Sequence, residues 1–128
     1  MAADAALQLQ ASVTKTGTFH GTAVTLPSGT PRRGLFARVI YSAATNAGDD
    51  TGTVTFSVDV SPDSGTTWYE KTVDNEHVVN LNATAKSGEF PIPFETSDTQ
   101  VRLSATFAGS GSTPTITYES DIVLGRPG

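Results

Sequence analysis

Residues 53–61 read TVTFSVDVS, in which Val54, Phe56, Val58 and Val60 alternate with Thr55, Ser57 and Asp59. A period of two sends successive side chains to opposite sides of an extended chain, so this segment is a strand with one buried face. The same period recurs along the chain. VRLSATF places Val101, Leu103, Ala105 and Phe107 together, and TITYESDIVL does so for Ile116, Tyr118, Ser120, Ile122 and Leu124. LQLQASV aligns Leu7, Leu9, Ala11 and Val13. GLFARVIYS interleaves Leu35, Ala37, Val39 and Tyr41 with Phe36, Arg38 and Ile40, a pattern that predicts a central strand buried on both sides.

Weaker strand patterns lie in FHGTAVTL, WYEKTV, HVVNL and EFPIPF. Pro91 and Pro93 lack amide donors, so EFPIPF belongs at a sheet edge. Turn-forming stretches separate these segments: LPSGTPRRG, TNAGDDTG, SPDSG, AKSG and AGSGSTP. No segment sustains a helical period. Eight or nine short strands with turns between them predict an all-β fold, a single-domain antiparallel β-sandwich of jelly-roll type. At 128 residues the chain reads as one domain over 1–128, with residues 1–6 as an N-terminal arm and 125–128 as a C-terminal tail.

Composition narrows the function. The chain has no cysteine, which removes disulfides and cysteine-based metal or thiol chemistry and suits a reducing compartment. A net charge of −5 with only 16% charged residues lacks the cationic density that phosphate neutralisation needs, so no nucleic-acid partner is expected. MAADAALQLQ has neither the basic nor the apolar region of a secretory signal, and Arg38 breaks LFARVIYSAA, an apolar run already far below a membrane span. Synthesis in the cytoplasm without membrane insertion is the expectation.

The candidate sites are few. Asp49, Asp50 and Asp63 are hard oxygen donors in glycine-bearing loops, yet neither loop has the alternating donors and distal glutamate of a calcium loop. An aspartate capping its own turn explains them equally. No metal or other cofactor is expected. Trp68 and Tyr69 are adjacent, so in a strand they point to opposite faces and make no single sugar platform. One of the two is expected in the core and the other exposed.

His20 and His77 stand apart without a nucleophile signature, and neither G-x-S-x-G nor H-E-x-x-H occurs. Asp59 and Glu70 could oppose each other across a hairpin as solvent-facing carboxylates. No residue is assigned a catalytic role. Asn82-Ala83-Thr84 matches a glycosylation acceptor that a chain without a secretory signal would not use. The one basic concentration is Arg32 and Arg33 in TPRRG, either a solvated loop or a contact with a partner's carboxylates.

SPDSGTTWYE combines a proline, an acid, a glycine and the single tryptophan. It reads as a hairpin turn: Pro62 presets φ, Asp63 and Ser64 suit the centre, and Gly65 supplies a left-handed residue with a bulge.

The order of these features resembles the small β-sandwich decoration (cement) proteins of tailed bacteriophages. The marks are the GTPRRGL turn, the VDVSPDSGTTW hairpin, and a closing pair in which VRL and a Gly/Ser loop ending at Pro114 lead to a strand closing in VLG. The resemblance spans nearly the whole chain. It departs in the insertion DNEHVVNLNATAKS (74–87), which is either an extra strand pair or a protruding loop. The resemblance implies a structural, non-enzymatic virion protein on the outer capsid surface. Its partners would be the major capsid protein and further copies of itself, as dimer or trimer. By the same analogy Arg32 and Arg33 would contact the capsid, and the arm with Ala2, Ala3 and Asp4 would order on binding or add a strand to a neighbour. A carbohydrate- or host-binding module of a fibre, and a tail or connector protein, are the alternatives.

Overall fold

The computed structural model describes residues 8–26, 35–46, 52–70, 76–81, 84, 86–96, 98–108 and 114–124. They form ten strands: β1 Gln8–Lys15, β2 Phe19–His20, β3 Val24–Thr25, β4 Leu35–Asn46, β5 Thr53–Ser61, β6 Tyr69–Glu70, β7 His77–Asn80, β8 Lys86–Phe94, β9 Gln100–Ala108 and β10 Pro114–Leu124. All pairings are antiparallel. One sheet runs β1-β10-β4-β8. The other runs β2-β9-β5-β6, with β3 also on β9 and β7 also on β5.

Because β2 and β3 share one side of β9, they are two pieces of one interrupted strand, as β6 and β7 are along β5. Counted this way there are eight lanes in two four-lane sheets. The chain changes sheet at every step between lanes except the β5–β6 hairpin. That is jelly-roll topology, as the strand spacing predicts.

The strand beyond the nine predicted has a local cause. FHGTAVTL divides at Gly21, whose amide donates to the Leu103 carbonyl at 2.7 Å. A Cβ at this position would sit 2.4 Å from that same oxygen, so only glycine permits the approach. HVVNL forms β7 as its pattern predicts, so among the described residues the 74–87 insertion supplies a single strand, His77–Asn80, paired with Thr53–Phe56 of β5.

The core follows the alternation. Leu35, Ala37 and Val39 of β4, Val54, Phe56 and Val58 of β5, Ile92 of β8, Val101 of β9 and Ile116 and Tyr118 of β10 are completely buried. Phe56 bridges the layers, with ring centroids 5.5 Å from both Phe90 and Tyr118. His77 stacks on Phe90 at 3.7 Å with planes 10° apart, and burial holds its pKa below the ordinary histidine value. It is a packing residue. β1 departs from the predicted pattern: register shifts between Gln8 and Gln10 and between Gln10 and Val13 leave Leu9 buried but Ala11 exposed.

Two placements follow from this frame. β8 closes one edge of the four-stranded sheet, as its prolines require. β4 lies between β10 and β8, but only one of its faces meets a second layer. Leu35, Ala37 and Val39 are fully buried, while Phe36, Arg38 and Ile40 remain half-exposed. Burial on both sides is therefore corrected: among the described residues no second layer lies over the outer face of this sheet.

Candidate functional site

The turn at SPDSG is built from its own side chains. Ser61 Oγ accepts from the Gly65 amide at 2.8 Å and donates to Asp63 Oδ1 at 2.9 Å. Asp63 Oδ1 also accepts from the Thr67 amide at 2.7 Å, and this bond holds the carboxyl below the usual range. Gly65 has φ +93°, as predicted, and Ser64 at φ +63° is left-handed as well, which the residue type did not announce. Asp63 is thus a loop cap. Among the described residues no group of three or more His, Asp or Glu side chains is placed to hold a metal.

Beyond the turn, the outer face of the six-stranded sheet carries a polar network, with the exposed Val78 of β7 set apart from it opposite Thr55. Asp59 and Glu70 are register partners, so both lie on it. Asp59 is buried; its Oδ2 accepts from Arg102 Nε at 2.9 Å and from Ser104 Oγ at 2.7 Å. His20 Nδ1 lies 2.9 Å from Ser104 Oγ. Because the Ser104 proton points to Asp59, the imidazole meets that hydroxyl as a donor and does not activate it as a nucleophile.

The Arg102 guanidinium covers the Trp68 ring at 4.3 Å, and Trp68 Nε1 donates to the Gly65 carbonyl at 3.1 Å. Trp68 and Tyr69 do point to opposite faces, but neither is a core residue. Trp68 is half-buried under Arg102, and Tyr69 is 57% exposed. Glu70 hydrogen-bonds Glu76; that bond, burial and repulsion from Glu76 and Asp59 push its pKa up to about 7.

The outer face of the four-stranded sheet is built differently. Register pairing orders it into three rows across β8, β4 and β10. The first row is Pro93, Phe36 and Val123. The second is Pro91, Arg38 and Asp121. The third is Glu89, Ile40 and Glu119. In the middle row Arg38 grips Asp121 with two bonds, Nε to Oδ1 at 3.0 Å and Nη2 to Oδ2 at 2.6 Å. The Asp121 bond, together with Glu89 and Glu119, raises the Arg38 pKa further against the opposing cost of burial. Around this clamp Phe36, Arg38, Glu89, Pro91 and Val123 line an open groove of about 360 Å³.

Arg32, Arg33, Ala2, Ala3 and Asp4, the contact residues implied by the resemblance, lie outside the described residues, as do Asp49 and Asp50. Pro62, Asp63 and Gly65 are in the hairpin turn. Sequence reading did not single out Arg38, Asp121, Arg102 or Ser104. The available signal was an ionisable or hydroxyl side chain at an outward position of an otherwise apolar strand.

No family model and no curated relative matches the chain. Among solved structures, one described as "CBM4 structure and function" aligns with 91% of this chain and 79% of that chain, at 17% identity and a TM-score of 0.44. This is a distant likeness of β-sandwich shape and says nothing about a ligand.

Proposed function

We propose that this protein is a structural virion protein, a decoration protein that adheres to the outer surface of a bacteriophage capsid shell and stabilises it without turnover. The observation that carries the reading is the outer face of the four-stranded sheet. It presents Phe36, Ile40, Val123, Pro91 and Pro93 outward around the two-bond Arg38–Asp121 clamp, with no second layer over them among the described residues. Outward apolar side chains interleaved with charge supply both the contact area and the polar pairing that an adhesive surface uses. Side chains converging on a reacting atom are not required. The pattern of marks running from GTPRRGL to the closing VLG strand supports the phage setting. Many copies, each burying a modest area, would reinforce a shell against internal pressure.

The test is fractionation of the parent phage. Intact particles on a density gradient should carry the protein in a fixed high copy number, and tails separated from heads should carry none. Finding it with the tails, or absent from purified particles, overturns the reading.

A second reading has its own observation, the Trp68–Arg102 stack beside Asp59, Ser104 and His20, a combination of aromatic and polar groups of the kind that engages sugars. A glycan array separates the two. A carbohydrate-binding module gives hits that Trp68→Ala removes; a decoration protein gives none.

A further inference from the structure

The three-row face also specifies the chemistry of what covers it. We infer that its occupant is a protein segment pairing aliphatic or aromatic side chains with Lys or Arg, and not a second copy of this chain; the inference rests on the adhesive reading of this face. The first row is wholly apolar, so it asks for apolar side chains. The second and third rows hold three carboxylates, Asp121, Glu89 and Glu119, against the single guanidinium of Arg38, an excess of two negative charges within these rows of described residues.

Arg38 contributes little free charge to a partner, because two of its donors are already engaged by Asp121. Glu89 and Glu119 are exposed and flank Ile40 from the two neighbouring strands. With strands about 4.8 Å apart, their backbones stand roughly 10 Å from each other. A partner seated on Ile40 therefore meets a carboxylate on either side.

A two-fold contact between copies would place two such acidic faces together within a chain that already carries a net charge of −5. Like-charge juxtaposition opposes that contact, whereas a cationic segment relieves it. Strand addition at the adjoining edge is also opposed, since Pro91 and Pro93 of β8 bring no amide donors. The partner is consequently held by the face and not by backbone pairing.

The test uses the full chain, isotope-labelled for NMR, and two capped peptides of one length, one alternating Leu with Arg and one alternating Leu with Glu. The Leu/Arg peptide should shift the amides of Phe36, Ile40 and Val123. Its affinity should fall about tenfold in the double variant Glu89→Lys/Glu119→Lys, and its affinity for the wild type should fall as salt is raised. The Leu/Glu peptide should leave these signals unmoved. Equal binding of both peptides, shifts confined to β5 and β9, no shift with either, or sedimentation showing a dimer that Ile40→Asp dissolves would each overturn the inference.

Binding to capsid shells stripped of the protein separates the inference from the reading beneath it. Shells that bind wild type and the double variant alike overturn the cationic partner and leave the decoration role standing. Shells that bind neither, with the Leu/Arg peptide still seated on β4, remove the decoration role and support the partner chemistry.

Discussion

The two outer faces of the sandwich are made from the same kind of strand yet are spent differently. On the six-stranded sheet Asp59, Arg102, Ser104, His20 and Trp68 satisfy one another. Their hydrogen-bonding and stacking capacity is turned inward along the sheet. On the four-stranded sheet one ion pair is satisfied, and Phe36, Ile40 and Val123 around it stay half-exposed, with no second layer over them among the described residues. The first face stabilises the fold. The second leaves Phe36, Ile40 and Val123 half-exposed, and it is the surface proposed above for adhesion.

The comparison breaks first at Asp59. Asp59→Ala leaves Arg102 and Ser104 without their shared acceptor in a nearly buried setting, so urea unfolding should show a loss of about 3 kcal/mol with shell binding retained. A loss below about 0.5 kcal/mol would mean that the network adds nothing to the fold.

Next comes the turn beside that network. Gly65→Val forces a β-branched residue to φ +93° and brings its Cβ to 3.1 Å from Gln100 Oε1. Thermal melts should register about 2 kcal/mol of destabilisation; an unchanged melting temperature would contradict the hairpin geometry.

The reserved face should behave in the opposite way. Phe36→Ser should cost about 1 kcal/mol or less in stability while reducing attachment to stripped shells by more than any single substitution on the six-stranded sheet. A stability loss as large as that of Asp59→Ala would erase the distinction between the two faces.

The smallest effect concerns pH. Glu70 has a folded pKa near 7, above the ordinary glutamate value, so the folded state binds the extra proton. Its contribution to stability is therefore fully present below the unfolded pKa and lost as pH rises through about 7. Chemical denaturation between pH 5 and 8 should show a shallow decline that Glu70→Gln flattens; an identical slope in both proteins would rule the pair out as its source.

The parts of this arrangement legible in the sequence were those set by neighbours along the chain. The alternation in 53–61, the edge position of EFPIPF and the left-handed Gly65 each follow from residues within a few positions. The apolar residues on both sides of GLFARVIYS were also visible, although among the described residues one side of that strand is half-exposed and not enclosed by a second layer. What escaped depends on register between distant segments. Ser104 meets Asp59 across 45 positions and His20 across 84, and Arg38 meets Asp121 across 83. Nothing local in VRLSATF says that Arg102 will lie over Trp68. The bulges of β1 and the break at Gly21 are of the same kind, since each responds to a partner strand far away in sequence.

The central claim is that the four-stranded sheet is the adhesive face. Cryo-EM of the parent particle, at a resolution that separates the two sheets, tests it most directly. The account predicts regular copies on the outer shell with β4, β8 and β10 turned toward the capsid and Trp68 turned away. Copies attached through β5 and β9, with Phe36 and Ile40 facing solvent, would contradict it.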